Sequence, residues 1–230
     1  MNIPKINSSL LKNYEAYLNH IRSNYPKEIS SELSLPLFIH VNEEYRSLNK
    51  KIVVVGQETQ TWYGKLDDQS FTAKNIIYKY EEFNFGGNRK YSPFWKFAHQ
   101  LYGEFNTGKS IKGLLYTNLS RFDYKGKKVP SKISEKYTDG YGLLKKEIEI
   151  TQPEIVVFTT CWNRDKYIKL GFPDADFREV SKFKPKFLAR ILHDDLPHNT
   201  FRTYHPKYLN YQNEPHNIKG IITGILNNIE

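Results

Sequence analysis

The sequence predicts an α/β fold: a three-layer αβα sandwich built on a central, mainly parallel four-stranded sheet. Four short runs rich in β-branched and aromatic residues, Ile52–Val55, Gly113–Leu119, Ile155–Thr159 and Thr200–Tyr204, have the length and composition of strands. Segments with helical spacing lie between them. Alternation of the two kinds favours parallel strands with helices on both faces.

In chain order, a first helix is expected over Ser8–Asn24, ahead of the strand Ile52–Val55. The stretch Leu66–Lys90 is polar, aromatic and glycine-containing (FNFGGNRK at its end), and reads as a long excursion over the binding edge. Pro93–Tyr102 carries Phe94, Phe97, Ala98 and Leu101 at helical spacing, and Gly140–Thr151 carries Leu143, Leu144, Ile148 and Ile150. A last helix is expected over Pro215–Asn228, with Ile218, Ile221, Ile222 and Ile225 on one stripe. No repeat and no Pro/Gly/Ser-rich linker divides the chain, so residues 1–230 are read as one domain.

Composition narrows the function classes. Lys plus Arg number 34 against 25 Asp plus Glu, a formal charge of +9 that suits a polyanionic partner and equally fits a merely lysine-rich composition. A single cysteine, Cys161, rules out an intramolecular disulfide, a CxxC zinc site and a four-cysteine cluster. The histidines show no metal-binding spacing, and no cofactor or metal is expected. With no apolar run of about 18 residues, no membrane partner is expected, and a cytoplasmic monomer is the favoured reading.

In open α/β sheets, ligands bind beyond the C-terminal ends of the strands. Gly56-Gln57-Glu58 follows the first strand, Asn118 ends the second and His205-Pro206 follows the fourth, so three polar clusters fall at one edge. A carboxylate, a carboxamide and an imidazole gathered there can act on a cation or water, read a base edge and stabilise a leaving group. Taken singly, each also fits an ordinary turn, cap or surface residue.

The segments VVVGQET, LLYTNLS and TYHPKYL resemble, in this order, the three motifs of the uracil-DNA glycosylase superfamily, and KKEIEITQPEIVVFTTCW resembles the helix and buried strand between the second and third. The likeness spans roughly residues 50–210. It implies a metal-free, monofunctional enzyme that flips a base out of DNA and cuts its glycosidic bond. By position, Glu58 takes the place of the family's catalytic Asp and His205 that of the His on the pyrimidine O2. Gln57 and Asn118 take the places of the Gln and Asn beside the base, and Phe71 that of the aromatic that stacks on it. Tyr208 and Leu209 fall where the family inserts a side chain into the duplex, and they could equally pack under the loop.

Departures from the family pattern bear on substrate. Glu58 is one methylene longer than Asp, Thr59 replaces a Pro, and Gln60 replaces the Tyr that closes the pocket against substituents at the pyrimidine C5. The resemblance therefore implies a 5-modified base, such as a hydroxymethylated or glucosylated cytosine of viral DNA, ahead of plain uracil. Lys109, Lys125, Lys127, Lys128 and Lys207 are the expected phosphate contacts, although the lysine-rich turn after the second strand reads equally as solvated.

Two rivals remain. Gly103–Ser110 (GEFNTGKS) fits the P-loop pattern, but a helix precedes it and a strand follows, the reverse of what a P-loop requires. The other rival is a non-catalytic binder of nucleic acid or nucleotide on the same fold.

Overall fold

A computed structural model describes residues 2–89, 91–136 and 139–230. Its elements run α1 (Ile3–Asn24), α2 (Lys27–Ser30), β1 (Ile52–Glu58), α3 (Ala73–Glu82), α4 (Pro93–Phe105), β2 (Leu115–Ser120), α5 (Ser131–Lys136) and α6 (Asp139–Thr151). They continue with β3 (Ile155–Phe158), α7 (Asp165–Gly171), β4 (Asp176–Glu179), β5 (Leu188–Leu192), β6 (Asn199–Thr203), α8 (Pro206–Leu209) and α9 (Ile218–Leu226).

The sheet has six strands in the order β2-β1-β3-β6-β5-β4, not the expected four. The four strands expected from sequence form its parallel part, and β5 and β4 extend it antiparallel beyond β6. Those two carry weak signals: β4 is DFRE, with only Phe177 apolar, and β5 is LARIL, with Arg190 inside it. By contrast β1 opens with Ile-Val-Val-Val, all buried, as a strand covered on both faces must be.

Helices lie around the sheet. α1, α3, α6 and α7 pack against one another in one group, α4, α8 and α9 in a second. Each apolar stripe supplies the contact: Leu10, Tyr14, Leu18 and Ile21 are buried along α1, and Ile218, Ile221, Ile222 and Ile225 along α9.

The excursion after β1 is more ordered than expected. It contains α3, started by a capping box in which Thr72 and Asn75 satisfy each other's backbone N–H groups, with Ala73, Ile76 and Tyr80 buried on one face. Arg22 of α1 holds its beginning, donating to the carbonyls of Leu66 (3.1 Å), Asp68 (2.6 Å) and Phe71 (2.9 Å). Lys90, the last residue of the expected excursion, lies outside the described residues.

Among the described residues no helix is long and apolar enough to cross a membrane. The P-loop-like segment begins inside α4 and ends in exposed Gly108, Lys109 and Ser110 before β2, so helix precedes loop and strand follows.

Candidate active site

Strand order reverses between β1 and β3: β1 leads to β2 on one side, and β2 crosses back to β3 on the other. A crevice outside the carboxyl ends of β1 and β3 is the expected consequence. In register, Gly56 faces Asn118 and Glu58 faces Ser120, while Phe158 faces Arg202 three residues before His205. Parallel pairing thus brings Glu58, Asn118 and His205 to one edge.

Gly56 makes room there. A Cβ on it would lie 2.2 Å from the Asn118 amide and 3.3 Å from the Phe94 ring, so only glycine lets the Asn118 amide approach this closely. With its amide oriented to match donors with acceptors, Asn118 donates to the Thr117 carbonyl (3.1 Å) and accepts from the Thr59 N–H (3.2 Å). One N–H and one lone pair of the carboxamide stay available to a ligand.

The loop after β1 is pinned from below. Asp123 accepts from the Thr59 hydroxyl (3.1 Å), the Trp62 N–H (2.9 Å) and the Gly126 N–H (2.9 Å). Gln60 is exposed on this loop, and Gln57 turns inward, its amide donating to the Thr160 carbonyl at 3.0 Å. Cys161 joins three strand ends, because its Sγ receives the Gln57 amide (3.4 Å) and the His205 backbone N–H (3.2 Å). Burial pushes this thiol's pKa up, so it stays a neutral clasp.

Glu58 meets a residue that the sequence reading missed. Arg164, in the turn after β3, places Nη2 2.6 Å from Glu58 Oε2, and both side chains are largely buried. Glu58 Oε2 nonetheless lacks an aligned hydrogen bond. The strand-end rule applied to the third strand points to this turn, and packing across the sheet sets which of its residues meets Glu58.

His205 caps α8, its Nδ1 accepting the Lys207 backbone N–H at 3.2 Å. A neutral ring accepting at Nδ1 carries its proton on Nε2. Burial, then the Arg164 and Lys207 cations, bring its pKa down to about 4, so the ring is neutral at pH 7. Such an imidazole donates through Nε2 without bringing a full charge.

Phe94, not Phe71, is the aromatic against Gly56 and His205: its ring lies 6.4 Å from the imidazole, with the planes 22° apart. Pro93 and the Ser92 cap start α4 at this point and put Phe94 on its first turn. Phe71 packs edge-on against Tyr63 at 5.2 Å within the excursion. The chain between Gly56 and Phe71 is drawn towards α1, where Arg22 donates to the Phe71 carbonyl at 2.9 Å, so the fifteen-residue offset does not bring this ring to Gly56.

The expected DNA contacts divide. Lys127, Lys128 and Lys207 are exposed, and Lys125 is exposed but ion-paired with Glu32 at 3.3 Å. Lys109 lies at the opposite end of the sheet, because its backbone N–H donates to Asn106 (2.9 Å), whose side chain binds Asn49 and Lys50 just ahead of β1. Leu209 is fully buried and cannot enter a duplex, whereas Tyr208 is exposed.

Compared with known protein families and with curated proteins, the chain matches none.

Proposed function

We propose that this protein is a monofunctional DNA glycosylase that excises a flipped pyrimidine. The observation that carries the reading is the meeting of Glu58, Asn118 and a neutral His205 at the switch point of the sheet, where Gly56 lets the Asn118 amide lie against the β1 backbone beside Phe94. As the glycosidic bond breaks, positive charge develops on the sugar and negative charge on the base oxygen. Glu58 stabilises the first until water adds at the sugar C1′ in place of the base, and His205 donates an Nε2–H hydrogen bond to the second, so that the base leaves as an anion and takes up the proton released by the water. Phe94 supplies a π-face for the extruded base, and the free donor and acceptor of Asn118 read its edge.

Arg164 sets the resting state. Its guanidinium neutralises Glu58 in the free protein, and an entering DNA phosphate competes for it, which frees the carboxylate beside the sugar. With Gln60 exposed, nothing on that residue closes the pyrimidine C5 side, which supports a 5-modified base over uracil.

A second reading, a non-catalytic nucleotide binder, is favoured by the same ion pair, since a permanently neutralised Glu58 does no chemistry. DNAs containing different modified pyrimidines, incubated with the protein and scored for alkali-labile abasic sites, separate the two. Cleavage lost in Glu58→Gln supports excision. Tight binding with no abasic sites on any substrate supports the binder.

A further inference from the structure

Beside the proposed site lies a group of aromatic side chains that the excision chemistry does not use. Trp162 follows Cys161 at the end of β3, and its indole N–H donates to the Tyr204 hydroxyl at 3.0 Å, linking the β3 and β6 ends. Tyr204, next to His205, stacks on Tyr208 of α8 at 4.3 Å with an interplanar angle of 27°. Phe187 leans on Tyr204 at 5.3 Å, and the Lys186 ammonium stands 5.3 Å from the Phe187 ring. Trp162 is 52% exposed and Tyr208 42%, an unusual cost in apolar surface for rings of this size. Lys186 and Lys207, both exposed, flank the group.

We propose that these rings form a stacking platform for unpaired bases, so that the strand this protein engages is single-stranded DNA. Aromatic faces and flanking cations are the two features that hold an unpaired strand: each base offers a π-face and each linkage a phosphate. A paired duplex keeps its base faces stacked on one another and can use only the lysines. Tyr208 is held flat against Tyr204, so it serves as a surface for a base to lie on and not as a wedge between base pairs. The platform begins one residue from both Cys161 and His205, which places the neighbour of a flipped nucleotide on it.

This inference deepens the excision reading, and its test requires no excision. A labelled oligothymidylate and a duplex of equal length, neither containing a modified base, are titrated against the intact protein at one salt concentration. Trp162→Ala and Tyr208→Ala are each expected to weaken single-strand binding roughly five- to hundredfold and to leave duplex binding nearly unchanged. Trp162→Phe, which keeps a ring, should restore single-strand affinity while removing the fluorescence quenching on binding, since Trp95 is buried and Trp62 partly buried. Unchanged single-strand affinity in both alanine variants overturns the platform, as does equal loss on both DNAs, which would make Tyr208 a duplex contact. If the platform binds but no modified base is ever released, the excision reading fails and this inference stands.

Discussion

Among the described residues one arginine–glutamate pair is fully buried and another largely buried, and their difference separates what supports the fold from what is open to a ligand. Arg121 and Glu147 have side chains 0% and 3% exposed, and Glu147 accepts from Arg121 at 3.1 and 2.6 Å and from the Tyr14 hydroxyl at 2.7 Å. Thr117 bonds to both partners. This carboxylate is saturated, and it ties α1, β2 and α6 together. Arg164 and Glu58 are 10% and 17% exposed, meet through one short contact and leave Glu58 Oε2 without an aligned hydrogen bond. A saturated carboxylate has nothing to offer a ligand, whereas an under-bonded one at a crevice gains by exchanging partners.

The largest effect expected from this contrast is on stability. Arg121→Met leaves Glu147 buried without its cation, and unfolding in urea should show a loss of about 3–5 kcal/mol. An equal loss from Glu58→Gln would erase the distinction between the two pairs.

Next in size is the effect on rate. Glu58→Gln and His205→Ala should each slow base release about 100- to 1000-fold, corresponding to about 2.7–4 kcal/mol of lost charge stabilisation, with DNA affinity nearly intact. Single-turnover release measured beside a binding titration checks both halves. A rate loss that merely follows lost affinity would place these residues in binding alone.

Arg164 should also be readable through its neighbour. An imidazole titration followed by NMR is expected to place His205 near pH 4, and Arg164→Met should move that midpoint up towards the ordinary 6.5. The sign for stability follows: the folded pKa is below the unfolded one, so the unfolded chain takes up the proton first as acid is added. The stabilising contribution of neutral His205 is complete above about pH 6.5 and is lost as pH falls towards 4. Stability of His205→Gln should lack this component. A midpoint that does not move in Arg164→Met would show that burial and the Lys207 cation hold it down without Arg164.

The smallest expected change is one of selectivity. Gln60→Tyr should disfavour bulky 5-modified pyrimidines by about tenfold or more relative to uracil-sized bases, without changing the fold. Relative release rates from the two substrates measure it, and an unchanged ratio would remove Gln60 from the C5 side of the pocket.

Legibility in the sequence followed the strength of local signals. IVVV, LLYTNL, IVVF and TFRT carry enough buried apolar or β-branched residues to announce strands, and all four lie in the parallel part of the sheet. The edge strand DFRE is largely solvated and its neighbour LARIL carries Arg190 within it, so their pairing comes from the strands beside them, β5 on β6 and β4 on β5, and not from their own composition. α3 carries its own local marks, Thr72, Asn75 and the spacing of Ala73, Ile76 and Tyr80, inside a stretch whose polar composition reads as an excursion.

By itself, the sequence determined the parallel frame and with it the edge where Glu58, Asn118 and His205 meet, because strand ends are local and the alternation of strands with helices favours parallel crossovers. Only the tertiary structure decided which ring faces that edge, which cation holds Glu58 and which of Tyr208 and Leu209 reaches solvent. Phe94 lies 38 residues after Gly56 and Arg164 106 residues after Glu58. Pairs so separated in sequence are set by how helices and turns pack across the sheet, and no local spacing encodes that distance.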